Sequence, residues 1–186
     1  MVGSEATIAY SPNGENWTVA QLSDSSETYF TDVTYGNGTF VAVGNDDTVA
    51  WSIDDGRSWT VNTSALESEG ILNHPHAVIY DDNRFIAVTA NYHPLYQDGY
   101  IFTSTDGQNW LQATIFDAKT KSPVDENYLA TIIKTDQGVL AVPYGTGDAL
   151  AFSPADIVIS NNAIDWTAVC DLGSDCFPMS TNPGHK

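Results

Sequence analysis

The chain has 186 residues, 42% hydrophobic and 11% aromatic, which is enough for one domain with a proper core and too apolar for a disordered polymer. Acidic residues outnumber basic ones 24 to 6, for a net charge of −18; such a surface repels nucleic-acid phosphates and anionic lipid headgroups, so neither is an expected partner. No apolar stretch approaches the ~20 residues of a bilayer-spanning helix, and the opening Met1-Val-Gly-Ser-Glu-Ala6 lacks the basic and apolar regions of a secretory signal.

Four times a strand ends in serine, turns through small polar residues and restarts on tryptophan. Thr7–Tyr10 leads into the first turn, which carries Ser11, Asn13, Gly14 and Trp17. Val33, the turn Gly36-Asn-Gly38, the apolar run Phe40–Val43 and the strand Val49–Trp51 precede the second, with Ser52, Asp54, Gly56 and Trp59. Val78, the turn Asp81-Asp-Asn83, the run Phe85–Val88 and Ile101–Thr103 precede the third, with Ser104, Asp106, Gly107 and Trp110. Ile132, Asp136-Gln-Gly138, Val139–Val142 and Ile157–Ile159 precede the fourth, with Ser160, Asn162 and Trp166. Asn-Gly and Asp-rich turns between apolar runs are strong hairpin signals. A fixed repeat of this kind marks stacked supersecondary units.

Each full unit therefore predicts four short antiparallel strands, the last starting at the tryptophan. The second strand is apolar on both faces, so it is buried from both sides. A small four-stranded sheet covered on both faces by similar sheets is a propeller blade. A two-layer sandwich also uses short strands, but it does not need the same turn and tryptophan in every unit. The expected fold is all-β, a propeller-type array of about three and a half four-stranded blades in one domain over residues 1–186. Its parts are a partial blade at 1–22, blades at 28–63, 75–113 and 128–169, and an irregular tail at 170–186.

In the turn, the Asp or Asn two residues after the serine accepts backbone N–H groups, the glycine takes a left-handed conformation, and the tryptophan plugs the hairpin from below. The fourth copy has Ala163 and Ile164 where glycine would serve, so it is expected to be the least regular. These residues resemble the Asp-box repeat, S-x-D-x-G-x-x-W, of sialidases, other glycoside hydrolases and many non-enzymatic propellers. The resemblance spans nearly the whole chain and implies a propeller. It implies a binding or scaffold role, or an incomplete or degenerate glycoside hydrolase, in an extracellular, cell-surface or virion setting.

A sialidase site would need three arginines around the substrate carboxylate, and the chain has two, Arg57 and Arg84, so that activity is excluded for the chain by itself. No residue is identified as catalytic. A pair of carboxylates at glycosidase spacing would arise by chance on so acidic a surface.

Extra length falls in Asn62–Pro75 and Ala113–Asn127, between fourth and first strands, and in Asn91–Gly99 and Tyr144–Ala155, between second and third strands. Both kinds of link emerge at one end of an up-and-down blade, and insertions gathered on one face mark a binding face. Candidate ligand-binding residues there are Tyr92, His93, Tyr96 and Tyr100, with His74, His76, Tyr29, Tyr128, Tyr144 and Asp148. Tyrosines beside carboxylates suit a glycan or a protein equally. His74-x-His76 with His93 would hold a metal only if the two loops met; solvated histidines are the default, and no metal or other cofactor is expected. Calcium at Asp46-Asp47 or Asp81-Asp82 is a subsidiary reading, because neither pair has dedicated-loop spacing. Cys170 and Cys176 are either a small disulfide or two free thiols.

The first turn has one strand before it, leaving half a blade, and an unclosed stack has exposed edges that invite pairing. The tail, with Pro178 and Pro183, makes a poor central strand, so a homo-oligomer or a subunit of a larger assembly is expected in preference to closure by the tail.

Overall fold

Turn chemistry sets the strand pattern. In the hairpin Gly36-Asn-Gly-Thr39 the two central residues have φ of 48° and 77°, and in Asp81-Asp-Asn-Arg84 they have 44° and 59°. Two left-handed central residues define the tight turn whose twist matches antiparallel strands, which is why Asn, Asp and Gly occupy these positions.

The computed structural model describes residues 1–24, 28–67, 73–90, 99–118, 120–124, 129–136, 138–143 and 157–170. The first unit supplies β1 (Ala9–Tyr10), β2 (Thr18–Val19) and β3 (Gln21–Leu22). The second supplies β4 (Phe30–Gly36), β5 (Thr39–Gly44), β6 (Thr48–Ser52) and β7 (Ser58–Asn62). The third supplies β8 (His74–Asp81), β9 (Arg84–Ala90), β10 (Ile101–Ser104), β11 (Leu111–Gln112), β12 (Ile115–Asp117) and β13 (Pro123–Val124). The fourth supplies β14 (Leu129–Thr135), β15 (Gly138–Pro143), β16 (Ile157–Ser160) and β17 (Trp166–Cys170). No helix occurs among the described residues.

Three sheets repeat one antiparallel meander: β4-β5-β6-β7, β8-β9-β10-β11 and β14-β15-β16-β17. The first sheet is rudimentary. β1 pairs with β2, and Val2 bridges Ile8 on the other side, so the opening residues contribute a fragment of a further strand that the sequence does not announce.

Two short strands leave their own unit. β3 pairs in parallel with β7, placing Gln21 beside Ser58 and Leu22 beside Trp59. β12 pairs in parallel with β17, placing Ile115 beside Trp166, and β13 folds back on it. The segment after Ala113, expected to elaborate the loop end, thus begins as a hairpin along the outer edge of the fourth sheet. The first unit is latched to the second, and the third to the fourth.

Sheets stack face to face through three apolar seams. Ile8 and Ala20 meet Phe30, Ala42, Ala50 and Trp59. Val41, Val43 and Val49 meet Val78, Phe85, Ala87 and Phe102. Ile86, Val88 and Ile101 meet Leu129, Ile132, Val139, Ala141, Val158 and Trp166. Alternate residues of one strand serve opposite seams: in β9, Phe85 and Ala87 face back while Ile86 and Val88 face forward, all fully buried.

The serine-to-tryptophan turns share one hydrogen-bond scheme. The Ser104 hydroxyl donates to Asp106 Oδ1 at 2.9 Å and accepts the Gly107 N–H at 2.8 Å, while Asp106 Oδ1 accepts the amides of Gln108 and Asn109, each at 2.8 Å. The Trp110 indole N–H donates to the Gly107 carbonyl at 3.3 Å. The first turn repeats this scheme with Ser11, Asn13, Gly14 and Trp17. The second has one residue more, and Asp55 absorbs it at φ 60° ahead of Gly56. In the fourth, Ala163 takes φ 56°, where the other turns have glycine at 75–81°, and the buried Trp166 Nε1 has no hydrogen-bond partner. A methyl group there is strained by roughly 1–2 kcal/mol, yet it lies buried in the third seam.

The turn tryptophans Trp59, Trp110 and Trp166 each belong to the seam with the preceding sheet. Trp166 is fully buried and Trp59 is 5% exposed, whereas Trp17 is 50% exposed. The expectation of four plugged indoles therefore fails for Trp17, behind which no sheet packs among the described residues. The box glycines tell the same story. A Cβ on Gly107 would lie 2.5 Å from Val41 of the preceding sheet, and one on Gly56 would lie 3.4 Å from Tyr10, but one on Gly14 would meet nothing.

Two outcomes follow. Trp59→Ala destabilises the protein by roughly 3–5 kcal/mol in denaturant unfolding, as large core truncations do, and Trp17→Ala costs far less. Hydrogen bonds from the Ser58 hydroxyl and amide, with help from Ser52, hold the Asp54 carboxyl at about 2, below its ordinary 3.8. A lowered carboxyl stabilises the fold above its unfolded value, so this contribution is complete above 3.8 and disappears as pH falls through about 2. An NMR titration of Asp54 gives that midpoint, and Ser58→Ala moves it upward.

Candidate functional site

In the second unit the connection from second to third strand meets the described ends of the connection that leads on to β8, at the end of the sheet opposite its tight hairpin and serine turn. The three-residue loop Asn45-Asp46-Asp47 joins β5 to β6, and two of its residues are left-handed, Asp46 at φ 52° and Asp47 at 60°. Asn and Asp tolerate that conformation best among residues with side chains.

Asp47 is 1% exposed and ties this loop to the next unit. Its Oδ1 accepts the Asn73 N–H at 2.8 Å, and its own N–H donates to the Asn73 carbonyl at 2.9 Å. Its carbonyl accepts the Leu66 N–H at 3.2 Å, and the Asn73 side-chain amide donates to the Leu66 carbonyl at 2.9 Å. Leu66 is fully buried beneath this knot. Burial pushes the Asp47 carboxyl up, and hydrogen bonds from Asn73 oppose the push.

Around the knot sit further polar and aromatic groups. Asn45 Oδ1 accepts the Tyr29 N–H at 2.8 Å, the Asn45 N–H donates to the Tyr29 carbonyl at 3.1 Å, and Asn45 Nδ2 donates to Asp46 Oδ2 at 2.8 Å. The Tyr29 residue is 47% exposed. His74 Nδ1 lies 3.7 Å from Asp46 Oδ1. The β8–β9 ladder slips between Pro75 and Ala77, leaving His76 as the bulged residue, half-buried. Burial, and then the charge of His74, lowers the His76 pKa from its ordinary value.

Of the sequence-derived candidates, the structure thus gathers Tyr29 and His74 around the Asn45–Asp47 loop, with His76 beside them on β8. Tyr100 differs. Its ring packs at the second seam, 6.3 Å from Phe102, and its N–H donates to Thr89 Oγ1 at 3.1 Å, so it braces the frame. Tyr92, His93, Tyr96, Tyr128, Tyr144 and Asp148 lie outside the described residues. Cys176 lies outside them as well. The metal pairing of His74 and His76 would require His93. Among the described residues, no group of three or more His, Cys, Asp or Glu is placed to hold an ion, at the two Asp pairs or elsewhere. Sequence reasoning missed Asn45 and Asn73. The available signal was a polar triplet, Asn45-Asp-Asp47, wedged between two apolar strands.

Asp47→Ala removes the acceptor of a buried N–H and costs roughly 1–3 kcal/mol. Asp47→Asn keeps the acceptor, tolerates the left-handed backbone and removes a desolvated charge, so its unfolding midpoint equals or exceeds the wild-type value at neutral pH.

No protein-family model matches the chain, and no curated protein matches it. Among solved structures it is similar to YCF48 bound to D1 peptide, with a TM-score of 0.57 and 16% identity over 89% of this chain and 47% of that one. It is similar to YCF48 from Cyanidioschyzon merolae at the same score and identity, over 89% of this chain and 50% of that one. A Bombyx mori GH32 beta-fructofuranosidase aligns at a TM-score of 0.44 and 11% identity, over 86% of this chain and 41% of that one. The chain spans about half the length of these structures or less. At such identities the likeness is one of fold: the chain is an all-β protein of the β-propeller type, and its four-stranded sheets are blades of a partial propeller.

Proposed function

We propose that this chain is a non-enzymatic recognition or scaffold module whose serine-to-tryptophan turns are Asp-box repeats, and which takes a glycan or a polypeptide segment at its loop end. The observation that carries the reading is the braced rim around Asp47. A buried polar knot fixes the backbone there, while the Tyr29 ring, the Asp46 carboxylate and the His74 imidazole stand at its edge. A rigid frame presenting one aromatic face and hydrogen-bonding groups recognises a ligand without first ordering itself. The peptide held by YCF48, a protein of the same fold, supports the polypeptide arm of the proposal. The acidic surface suits an extracellular, cell-surface or virion setting.

The test is binding of the full chain to glycan and peptide arrays, followed by titration of the best hits. Tyr29→Ala and Asp46→Ala each weaken binding roughly tenfold or more. Ile53→Ala, at an exposed position in a serine turn at the opposite end, leaves binding unchanged. Turnover of chromogenic glycosides by the purified chain would sink the proposal in favour of a degenerate glycoside hydrolase, and hits indifferent to both rim substitutions would move the site elsewhere.

A further inference from the structure

The two outermost sheet faces match the two sides of an interior seam. In β5, β9 and β15 the residues Val41, Ile86 and Leu140 hold the same place, one after the first residue of the apolar run, and point forward along the stack. Val41 and Ile86 are fully buried by the next sheet. Leu140 is only half-buried, and Ile159, two strands' width towards the outside of the blade from β14, is 41% exposed. Between them the forward face of the fourth sheet holds a cavity of about 440 Å³, lined by Leu140, Ile159, Ser160, Asn161, Asp165 and Thr167 among others. At the other extreme, the backward face of the first sheet shows Trp17 at 50% and Val19 at 68% exposure.

What fills this place in the interior is visible at the second seam. There the Gly107 turn presses on Val41, within 2.5 Å of where a Cβ would stand, and Trp110 packs against the same cluster. Gly14 and Trp17 are the equivalents of Gly107 and Trp110, and Leu140 is the equivalent of Val41. The first sheet consists chiefly of the two outer strands of a blade, and the cavity runs from the β14–β15 hairpin across to β16 and β17, the strands that match those two, at the serine-turn end of the fourth sheet. Among the described residues the second sheet does not latch onto the third, since the strand that follows a tryptophan in parallel pairing comes from the first and third units. A first sheet meeting the forward face of the fourth would repeat that same kind of seam.

We propose that the open face of the fourth sheet receives the first sheet of a second copy of this chain, head to tail, with the Gly14–Trp17 turn seated against Leu140 and Ile159. The chain spans 47% and 50% of the two YCF48 chains it resembles, so two copies supply the length of one such molecule, and two head-to-tail contacts close the pair into a ring. The inference uses none of the rim residues around Asp47, so it stands or falls separately from the recognition reading.

The test is the mass of the full chain by size exclusion with light scattering. The wild type runs at twice 20.1 kDa. Trp17→Glu and Ile159→Glu each return it to 20.1 kDa, with far-UV and near-UV circular dichroism showing that both variants remain folded. An equimolar mixture of the two variants regains a two-chain species, because one contact then joins two unaltered faces. A face pairing with its own copy would instead be broken by one substitution only and would not be rescued by mixing. A single 20.1 kDa species at every concentration, an oligomer that either variant leaves intact, or an assembly larger than two chains overturns the proposal.

Discussion

A strand that is apolar on both sides cannot end a structure; it demands a neighbour in front and another behind. β9 states the requirement most plainly, with Phe85 and Ala87 committed to one seam and Ile86 and Val88 to the next, and no water reaching any of the four. Burial at about 25 cal/mol per Å² of apolar surface makes such a strand strongly favourable between two sheets and a liability on the outside. Stacking is therefore imposed by the second strand of each unit, and the other features of the fold either serve that stacking or accommodate it.

The serine-to-tryptophan turn is one of the serving features. It forms with the same serine, Asp or Asn, and indole hydrogen bonds in the exposed first unit as in the half-buried third. The geometry is thus local, written in the turn's own residues, while the burial of the indole depends on whether a sheet lies behind it. That separation explains why the motif identifies an architecture and is silent about ligands. The fourth turn shows how far it bends. Ala163 holds a left-handed backbone with its methyl buried in the third seam.

Much of this was legible in the chain. Asn37-Gly38 and Asp82-Asn83 announced their hairpins through conformational preference, and the apolar runs Phe40–Val43 and Phe85–Val88 announced double-sided burial, whereas the like run in β15 is covered on its backward side and leaves Leu140 half-buried. The latch strands were not legible, since Gln21-Leu22 and Ile115–Asp117 are too short for any periodicity and a parallel pairing to a distant partner leaves no local mark. In hindsight a trace exists: Trp17 and Trp110 are each followed three residues on by alanine, Ala20 and Ala113, and five on by Leu22 or Ile115, while Trp59 and Trp166 are not. The Asp47–Asn73 knot was hidden for a different reason. A buried carboxylate looks like a surface one until its partner, 26 residues away, is known to be adjacent.

Among the described residues, parallel latch strands fasten two of the three seams and not the middle one, which distributes restraint unevenly. First and second sheets, and third and fourth, are fastened at the outer rim by backbone hydrogen bonds. The middle seam has its polar ties elsewhere: the Asp32 carboxylate accepts the Val78 N–H, and Thr31 donates to the Pro75 carbonyl, both on the innermost strands. Two doublets joined along their inner margin form something like a book with its spine at the axis. Hydrogen bonds fix the register of the middle seam at that spine, whereas at its periphery the described residues hold it by apolar packing, with Trp51 and Trp110 against the same cluster.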